Sequence, residues 1–308
     1  MMTPPKISLI APVYGVEPYI RTFAESVLGQ SYADIEFIFV NDGTTDASIE
    51  ILEQVILEKY SHRQSRIKIV HKQNEGLPKA RQTGLENATG EYILFADSDD
   101  WLETDAVEKI MAMADRTHAD LIYFDLIKEY GDHQSFKREK DYSAADKQEY
   151  ICNLFNYRSQ GYTVTKCFRR RLWSEHPIHT PKLGMHEDIC LMSQIIFYAE
   201  SIVHLPEYLY HYRKDNPNAF CSQKRKKRHL ASSENMLDLY AHYRNQLKGS
   251  PIEQVADGIL LRAGWHNLLY RHNFPATYPW LREDLHKARI SSKYRTPVLF
   301  QLLTKLLS

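Results

Sequence analysis

Two carboxylates one residue apart, Asp97 and Asp99, follow the apolar run Tyr92-Ile93-Leu94-Phe95-Ala96. On an extended segment leaving a buried strand they aim at one small volume, where like charges repel unless a cation lies between them. Carboxylate oxygens are hard ligands that suit Mg²⁺ or Mn²⁺, ions that keep positions open for water and substrate phosphates. The competing assignment for Asp97-Ser98-Asp99-Asp100 is a solvated acidic turn that caps the following helix. The buried strand directly before it favours the metal. Two further polar groups end apolar runs in the same way: Pro12-Val13-Tyr14 after Ile7, and Asn41-Asp42-Gly43 after Ile35. An Asp-Gly pair alone is an ordinary turn signal; beside the other two it becomes part of a site. Asn74-Glu75-Gly76 leads through Lys79 and Arg81 to Gly84. Gly76 permits a tight backbone there, and Arg81 offers a donor fork suited to phosphate, the alternative being a solvated arginine.

Further on, Glu187-Asp188 opens the helical run Ile189–Tyr198. Acids at a helix N-terminus are commonly dipole partners, and the same pair can supply a general base. His186-Glu187-x-x-Cys190 is not H-E-x-x-H, which excludes a zinc metallopeptidase of that type. Tyr210-His211-Tyr212-Arg213 adds an imidazole and a guanidinium, each with a packing role as its alternative.

These residues need a frame that brings strand ends together. Ile7–Val13, Ile35–Val40, Ile67–Val70, Tyr92–Ala96 and Leu121–Phe124 read as strands. Between them lie helical patterns: one opening at Glu17-Pro18 with Ile20, Phe23, Val27 and Leu28 on one face, one capped by Thr45 or Asp46, Lys79–Asn87 and Ala106–Ala114. Alternation of this kind predicts an α/β fold with right-handed crossovers and a mainly parallel sheet, whose ligands bind outside the carboxyl ends of the strands. Residues 126–150 read as polar and loop-rich, and 150–215 as irregular, with Ile202–Leu205 strand-like. From about 224 the period is helical. The expected division is an α/β domain carrying these strand ends over 1–215 and a helical C-terminal region over 216–308, separated near Asn216-Pro217-Asn218.

The 308 residues carry 39 basic and 39 acidic side chains, unevenly placed. Residues 216–308 hold 15 Lys and Arg against six Asp and Glu. With Lys224–Arg228 and the apolar end Pro297–Leu307, that surplus fits an anionic membrane surface, although a solvated helix face and a packed helix explain the same residues. No stretch reaches the roughly 20 apolar residues of a transmembrane helix. No signal-peptide pattern precedes Ile7, and Cys152, Cys167, Cys190 and Cys221 form no paired motif. The expected location is cytoplasmic, peripheral on the inner face of the cell membrane, with no nucleic-acid partner.

In order and spacing, Pro12-Val13-Tyr14, Asn41-Asp42-Gly43-Thr44-Thr45-Asp46, Asn74–Gly84 and Phe95-Ala96-Asp97-Ser98-Asp99-Asp100 resemble family-2 inverting glycosyltransferases with the GT-A fold. The likeness is dense over 6–125 and resumes at Lys166–Arg170, His186-Glu187-Asp188 and Tyr210–Arg213; Gly15 stands where family members usually have Asn. The resemblance implies a UDP-sugar donor, with Asp42 on the uracil, Asp97 near the ribose, and Pro12, Tyr14, Asn74, Arg81, Ser98 and Arg213 also on the donor side. It implies that Asp99 binds Mn²⁺ or Mg²⁺ and that His211 joins the metal shell. Asp188, 91 positions beyond Asp97, falls where such enzymes carry their base, with Glu187 beside it on the acceptor side. The acceptor would be a saccharide or lipid-linked saccharide in polysaccharide or glycolipid synthesis.

Other classes fit less well. A nucleotidyltransferase needs a glycine-rich first loop, and Gly15 is the one glycine there. A non-catalytic nucleotide-sugar-binding protein has no use for Glu187-Asp188. A glycoside hydrolase needs two opposed carboxylates and no nucleotide site.

Overall fold

The computed structural model describes residues 5–155, 158–182, 186–217 and 225–243. Its first half alternates as the sequence pattern predicts. β1 (Ile7–Val13), α1 (Ile20–Leu28), β2 (Ile35–Asn41), α2 (Ser48–Lys59), β3 (Ile67–His71), α3 (Leu77–Asn87) and β4 (Tyr92–Phe95) follow in turn. Every residue of β1 is buried: α3 packs on β1 and β2, and Phe23 of α1 meets Phe39 of β2 edge-on (6.4 Å). Each such Ile, Leu, Val or Phe side chain contributes roughly 1.5–3 kcal/mol when fully buried, an upper estimate.

Helix α1 begins at Ile20, later than the Glu17-Pro18 start expected from the sequence. Those two residues form a turn, and the Glu17 carboxylate instead accepts the Ala47 amide (3.1 Å) at the start of α2. Asp46 does serve that helix: its Oδ1 accepts the amide (3.2 Å) and hydroxyl (2.6 Å) of Ser48.

The second half comprises β5 (Trp101–Leu102), α4 (Ala106–Thr117), β6 (Leu121–Glu129), β7 (Gln134–Lys137), α5 (Lys147–Phe155), β8 (Lys166–Arg169), α6 (Arg171–Ser174), α7 (Glu187–Tyr198), β9 (Ile202–Arg213) and α8 (Arg225–Tyr243). Residues 126–150 are therefore more ordered than their polarity implied. Beyond Ile127, β6 is only partly buried, and β7 is mostly exposed, so both carry the polar side chains of a sheet rim. β9 likewise runs well past Leu205. Its pairing with β6 jumps from Phe124↔Leu205 to Asp125↔Tyr208, which omits Pro206 and Glu207 from the ladder. A bulge at that point accommodates a residue with no N–H and lets the strand continue.

Among the described residues the strands make one sheet in the order β3-β2-β1-β4-β8-β6-β9-β5, with β7 on β6. β3, β2, β1 and β4 are mutually parallel. β8 is antiparallel to both β4 and β6, and β5 to β9. The result is a mixed, helix-flanked sheet whose parallel part carries the first three polar strand ends. Cys152, Cys167 and Cys190 are buried free thiols. No helix among the described residues is long and apolar enough to cross a membrane. Cys221, Lys224 and Pro297–Leu307 lie outside the described residues.

Candidate active site

The C-terminal ends of β1, β2 and β4 converge with the N-terminus of α7 and the far end of β9. At β2, Gly43 holds φ +69°, and a Cβ there would sit 2.9 Å from the Asn74 amide nitrogen, so the turn admits only glycine. Asp42, 3% exposed, accepts Lys72 Nζ (2.8 Å) and the Glu75 amide (3.1 Å) on Oδ1, and the Gly76 amide (2.9 Å) on Oδ2. Its carboxylate thus shapes the 74–76 loop from below, while Asn74 stands exposed at the top. The β1 loop is tied to the same place: the Gly15 amide donates to Thr44 Oγ1 (2.9 Å), leaving Tyr14 54% exposed.

At β4 the chain turns sharply, with the Asp100 amide on the Asp97 carbonyl (3.1 Å). The Ser98 hydroxyl donates to the Pro12 carbonyl (2.7 Å), joining the first and third strand ends. Tyr210 of β9 accepts the Asp97 amide (3.0 Å) and donates to Asp100 Oδ2 (2.7 Å). Asp100 Oδ1 accepts the Arg213 amide (2.7 Å), and burial, then Asp99 and Asp97, push its pKa well up. Asp100 is a structural pin under the turn. Asp99 accepts Asn216 Nδ2 on Oδ2 (2.8 Å), and its carbonyl accepts Arg213 Nε (2.8 Å). Burial raises the Asp99 pKa and the Asp97 charge adds to it, an unfavourable crowding that a divalent cation would relieve.

Two expected roles look different in place. The Arg213 guanidinium lies between the rings of Tyr19 (4.7 Å) and Trp101 (4.9 Å) and braces the Asp99 backbone. His211 does not join Asp99. Its ring stacks on Trp101 (4.9 Å), with Nδ1 on Glu129 (2.7 Å) and Nε2 on Glu103 (2.9 Å), so both nitrogens are occupied by carboxylates of the sheet. Strand pairing sets Trp101 directly opposite His211 and so fixes this stack.

The remaining acids come from α7. His186, at its N-cap, takes a left-handed backbone (φ 57°) that turns Glu187 and Asp188 into the first helical turn. Arg81, on the buried face of α3 and 5% exposed, donates to Asp97 Oδ1 (2.8 Å) and Glu187 Oε1 (3.0 Å). Burial and then Asp188 raise the Glu187 pKa, with Arg81 opposing. Burial raises that of Asp188, with Asp97 adding, while the Ile189 amide on Asp188 Oδ1 (2.7 Å) and Arg81 oppose. Such tuning toward neutrality suits a group that must gain a proton at physiological pH.

Lys166 of β8 also faces Asp188. Its buried ammonium donates to the carbonyls of Gln160 (2.7 Å) and Tyr162 (3.0 Å), and burial lowers its pKa to about 8. Next to that segment, Gly161 packs so tightly on Ile189 that a Cβ would lie 2.5 Å from Ile189 Cγ1. Beside the acids, α3 and α7 leave a shallow open groove walled by Leu85, Trp173, Pro181 and Leu191 and bordered by Arg81 and Glu187.

Lys72, Tyr210, Asn216 and Lys166 were not singled out individually from the sequence. Tyr210 and Lys166 lie inside short motifs that were noted, whereas Asn216 served only as a break signal and Lys72 carried no signal.

The mixed, helix-flanked sheet thus carries an Asp97-x-Asp99 turn at one strand end with the Glu187–Asp188 pair opposite, joined through Arg81. Residues 8–182 match the family model described as glycosyl transferase family 2, and the chain belongs to that family. Among its relatives is the glycosyltransferase EpsH of Bacillus subtilis (strain 168), 36% identical over 69% of this chain and 62% of its own length. Glycosyltransferase GlyA of Streptococcus pneumoniae is 33% identical over 69% of this chain and 31% of its own length. The chain thus spans less than two thirds of either relative.

Solved structures with the same fold include S. aureus TarS 1–349 in complex with UDP-GlcNAc (TM-score 0.66, 20% identity, 92% of this chain and 80% of that one). Another is the mannosyltransferase PcManGT from Pyrobaculum calidifontis in complex with GDP-Man and Mn²⁺ (TM-score 0.52, 13% identity, 99% of this chain and 86% of that one).

Proposed function

We propose that this glycosyltransferase moves a sugar from a UDP-sugar to a saccharide or lipid-linked saccharide hydroxyl by single displacement with inversion. The observation that carries the reading is the meeting of Asp97 and Asp99, at the end of β4, with Glu187 and Asp188 of α7, bridged by Arg81. Asp188 takes the proton of the acceptor hydroxyl as that oxygen attacks the anomeric carbon. The opposite face loses UDP, whose uracil lies over the loop that Asp42 supports.

Asp99 would hold Mn²⁺ or Mg²⁺. Its donor set fits, since such ions take one or two carboxylates and complete their shell with water and phosphate. Among the described residues no group of three or more His, Cys, Asp or Glu side chains is placed to hold a metal ion, so Asp99 would need the donor's phosphates and water to complete the shell. When bound, the ion supplies charge neutralisation for the departing diphosphate. The groove beside Glu187, with the flat face of Trp173 in its wall, is where we place the acceptor. The basic C-terminal region would hold the enzyme against anionic lipid.

The test is release of nucleoside diphosphate from a panel of UDP-sugars and GDP-mannose, with and without chelator. UDP release restored by Mn²⁺ or Mg²⁺ supports the reading. Turnover confined to GDP-mannose would replace the donor, and full turnover in excess chelator would remove the ion.

A further inference from the structure

We infer that Arg81 is a positioning residue for the Glu187–Asp188 pair, acting through Glu187 and Asp97, and not a ligand of the donor's phosphates. The inference rests on Asp188 being the base, as proposed above. Arg81 issues from the sheet-facing side of α3 and is almost wholly buried. One terminal nitrogen holds Asp97 Oδ1 at 2.8 Å and the other holds Glu187 Oε1 at 3.0 Å. The guanidinium carbon sits 5.7 Å from the Phe95 ring centroid, and the buried Nε has no hydrogen-bond partner. A fork fixed in this way cannot turn toward a phosphate without abandoning one of its carboxylates.

Its position also answers a charge problem. Asp97, Glu187 and Asp188 all face the Arg81 charge. Glu187 and Asp188 sit side by side with little solvent, and Arg81 is the cation held against the first of them. Among the described residues, the other charged or titratable groups around the pair are Lys166 on β8, whose ammonium is held by backbone carbonyls, the buried Cys190 thiol of α7, and His186, whose Nδ1 meets Ser232 of α8 (2.5 Å). Arg81 is the group that reaches Glu187 directly. Because Glu187 and Asp188 are neighbours in one helical turn, holding the first anchors the turn that carries the second. The same fork spans the donor end of β4 and the helix that carries the base.

Arg81→Gln and Arg81→Lys test this in the full chain. UDP affinity is measured by calorimetry. The titration of Glu187 is followed by carboxyl ¹³C NMR and assigned by the signal lost in Glu187→Gln. Turnover is recorded against pH with the best donor of the panel. UDP affinity should stay within about twofold of the parent. In Arg81→Gln the Glu187 midpoint should rise by about one pH unit or more, and kcat at neutral pH should fall by about tenfold or more with little change in the donor KM. Arg81→Lys should recover part of both.

A roughly tenfold loss of UDP affinity with the Glu187 midpoint unmoved would overturn the inference and return Arg81 to the donor site. Midpoint and pH profile both unchanged in Arg81→Lys and Arg81→Gln would leave a purely structural clamp and overturn it equally. If Arg81→Gln does not fold, the Glu187 midpoint in Arg81→Lys decides alone. Failure of the parent to bind UDP at all would instead count against the proposed function, and the carboxyl titration separates the two cases.

Discussion

Asp188 lies in the first turn of α7, where a carboxylate ordinarily does no more than serve the helix dipole. Burial and the nearby Asp97 raise its pKa above the free value of about 4. Below that raised value Asp188 already holds a proton and cannot take another. Turnover should therefore climb with pH, through an apparent midpoint above about 4, and be lost on acidification. Asp188→Asn should lower kcat by a factor of about 10²–10⁴ with UDP affinity unchanged, measured by UDP release and calorimetry.

Asp42 now carries a double expectation. Removing its carboxylate strands the Glu75 and Gly76 amides and takes one partner from Lys72, so Asp42→Ala should cost about 1–3 kcal/mol of stability and also weaken UDP binding. Thermal melting beside calorimetry checks both, and UDP affinity equal to the parent's would take Asp42 out of the donor site. Asp42, Asp97 and Asp99 were legible because polar residues that end buried strands are conspicuous in a sequence. The partners of Arg81 were not, since Glu187 is 106 residues away and nothing local marks the pair. The partners of His211 are equally illegible: its local motif suggests a metal, while Glu129 and Glu103 meet its two nitrogens from distant positions in the chain.

At the scale of elements, strong apolar periodicity gave β1, β2, β4 and α2 near their observed limits, because buried parallel strands and amphipathic helices write their period into the sequence. β6 and β9 were underestimated, since their outer halves sit at the sheet rim with polar side chains and, in β9, a proline that the bulge absorbs. The packing of Gly161 against Ile189, in the first turn of α7, leaves no trace in the pattern. Gly161→Ala should press on Ile189 Cγ1 and shift the turn bearing Asp188. We expect a loss of kcat of about tenfold, with far-UV circular dichroism and UDP affinity near those of the parent. Unaltered turnover would mean that the Ile189 side chain simply swings aside.

Over the whole molecule, charge is divided between an acidic catalytic part and a basic region from 216 onward. Vesicles containing anionic lipid should retain the full chain at low salt. Neutralising Lys224–Arg228 should weaken that retention by about 1 kcal/mol for each charge engaged. Sedimentation with vesicles checks this, and a chain that ignores them at low salt has a C-terminal region with another use.

β9 carries a last consequence. Tyr210 and Arg213 secure the Asp97–Asp100 turn across 110 to 114 residues of chain, and Asn216 reaches Asp99 across 117. Contacts so distant in sequence form late, after their loop has closed. On a ribosome the first four strands emerge and pair long before β9 exists. A nascent chain halted before residue 210 would therefore present a folded parallel sheet whose acidic turn still lacks its fasteners. The turn that carries Asp97 and Asp99 gains its fasteners only as β9 is delivered.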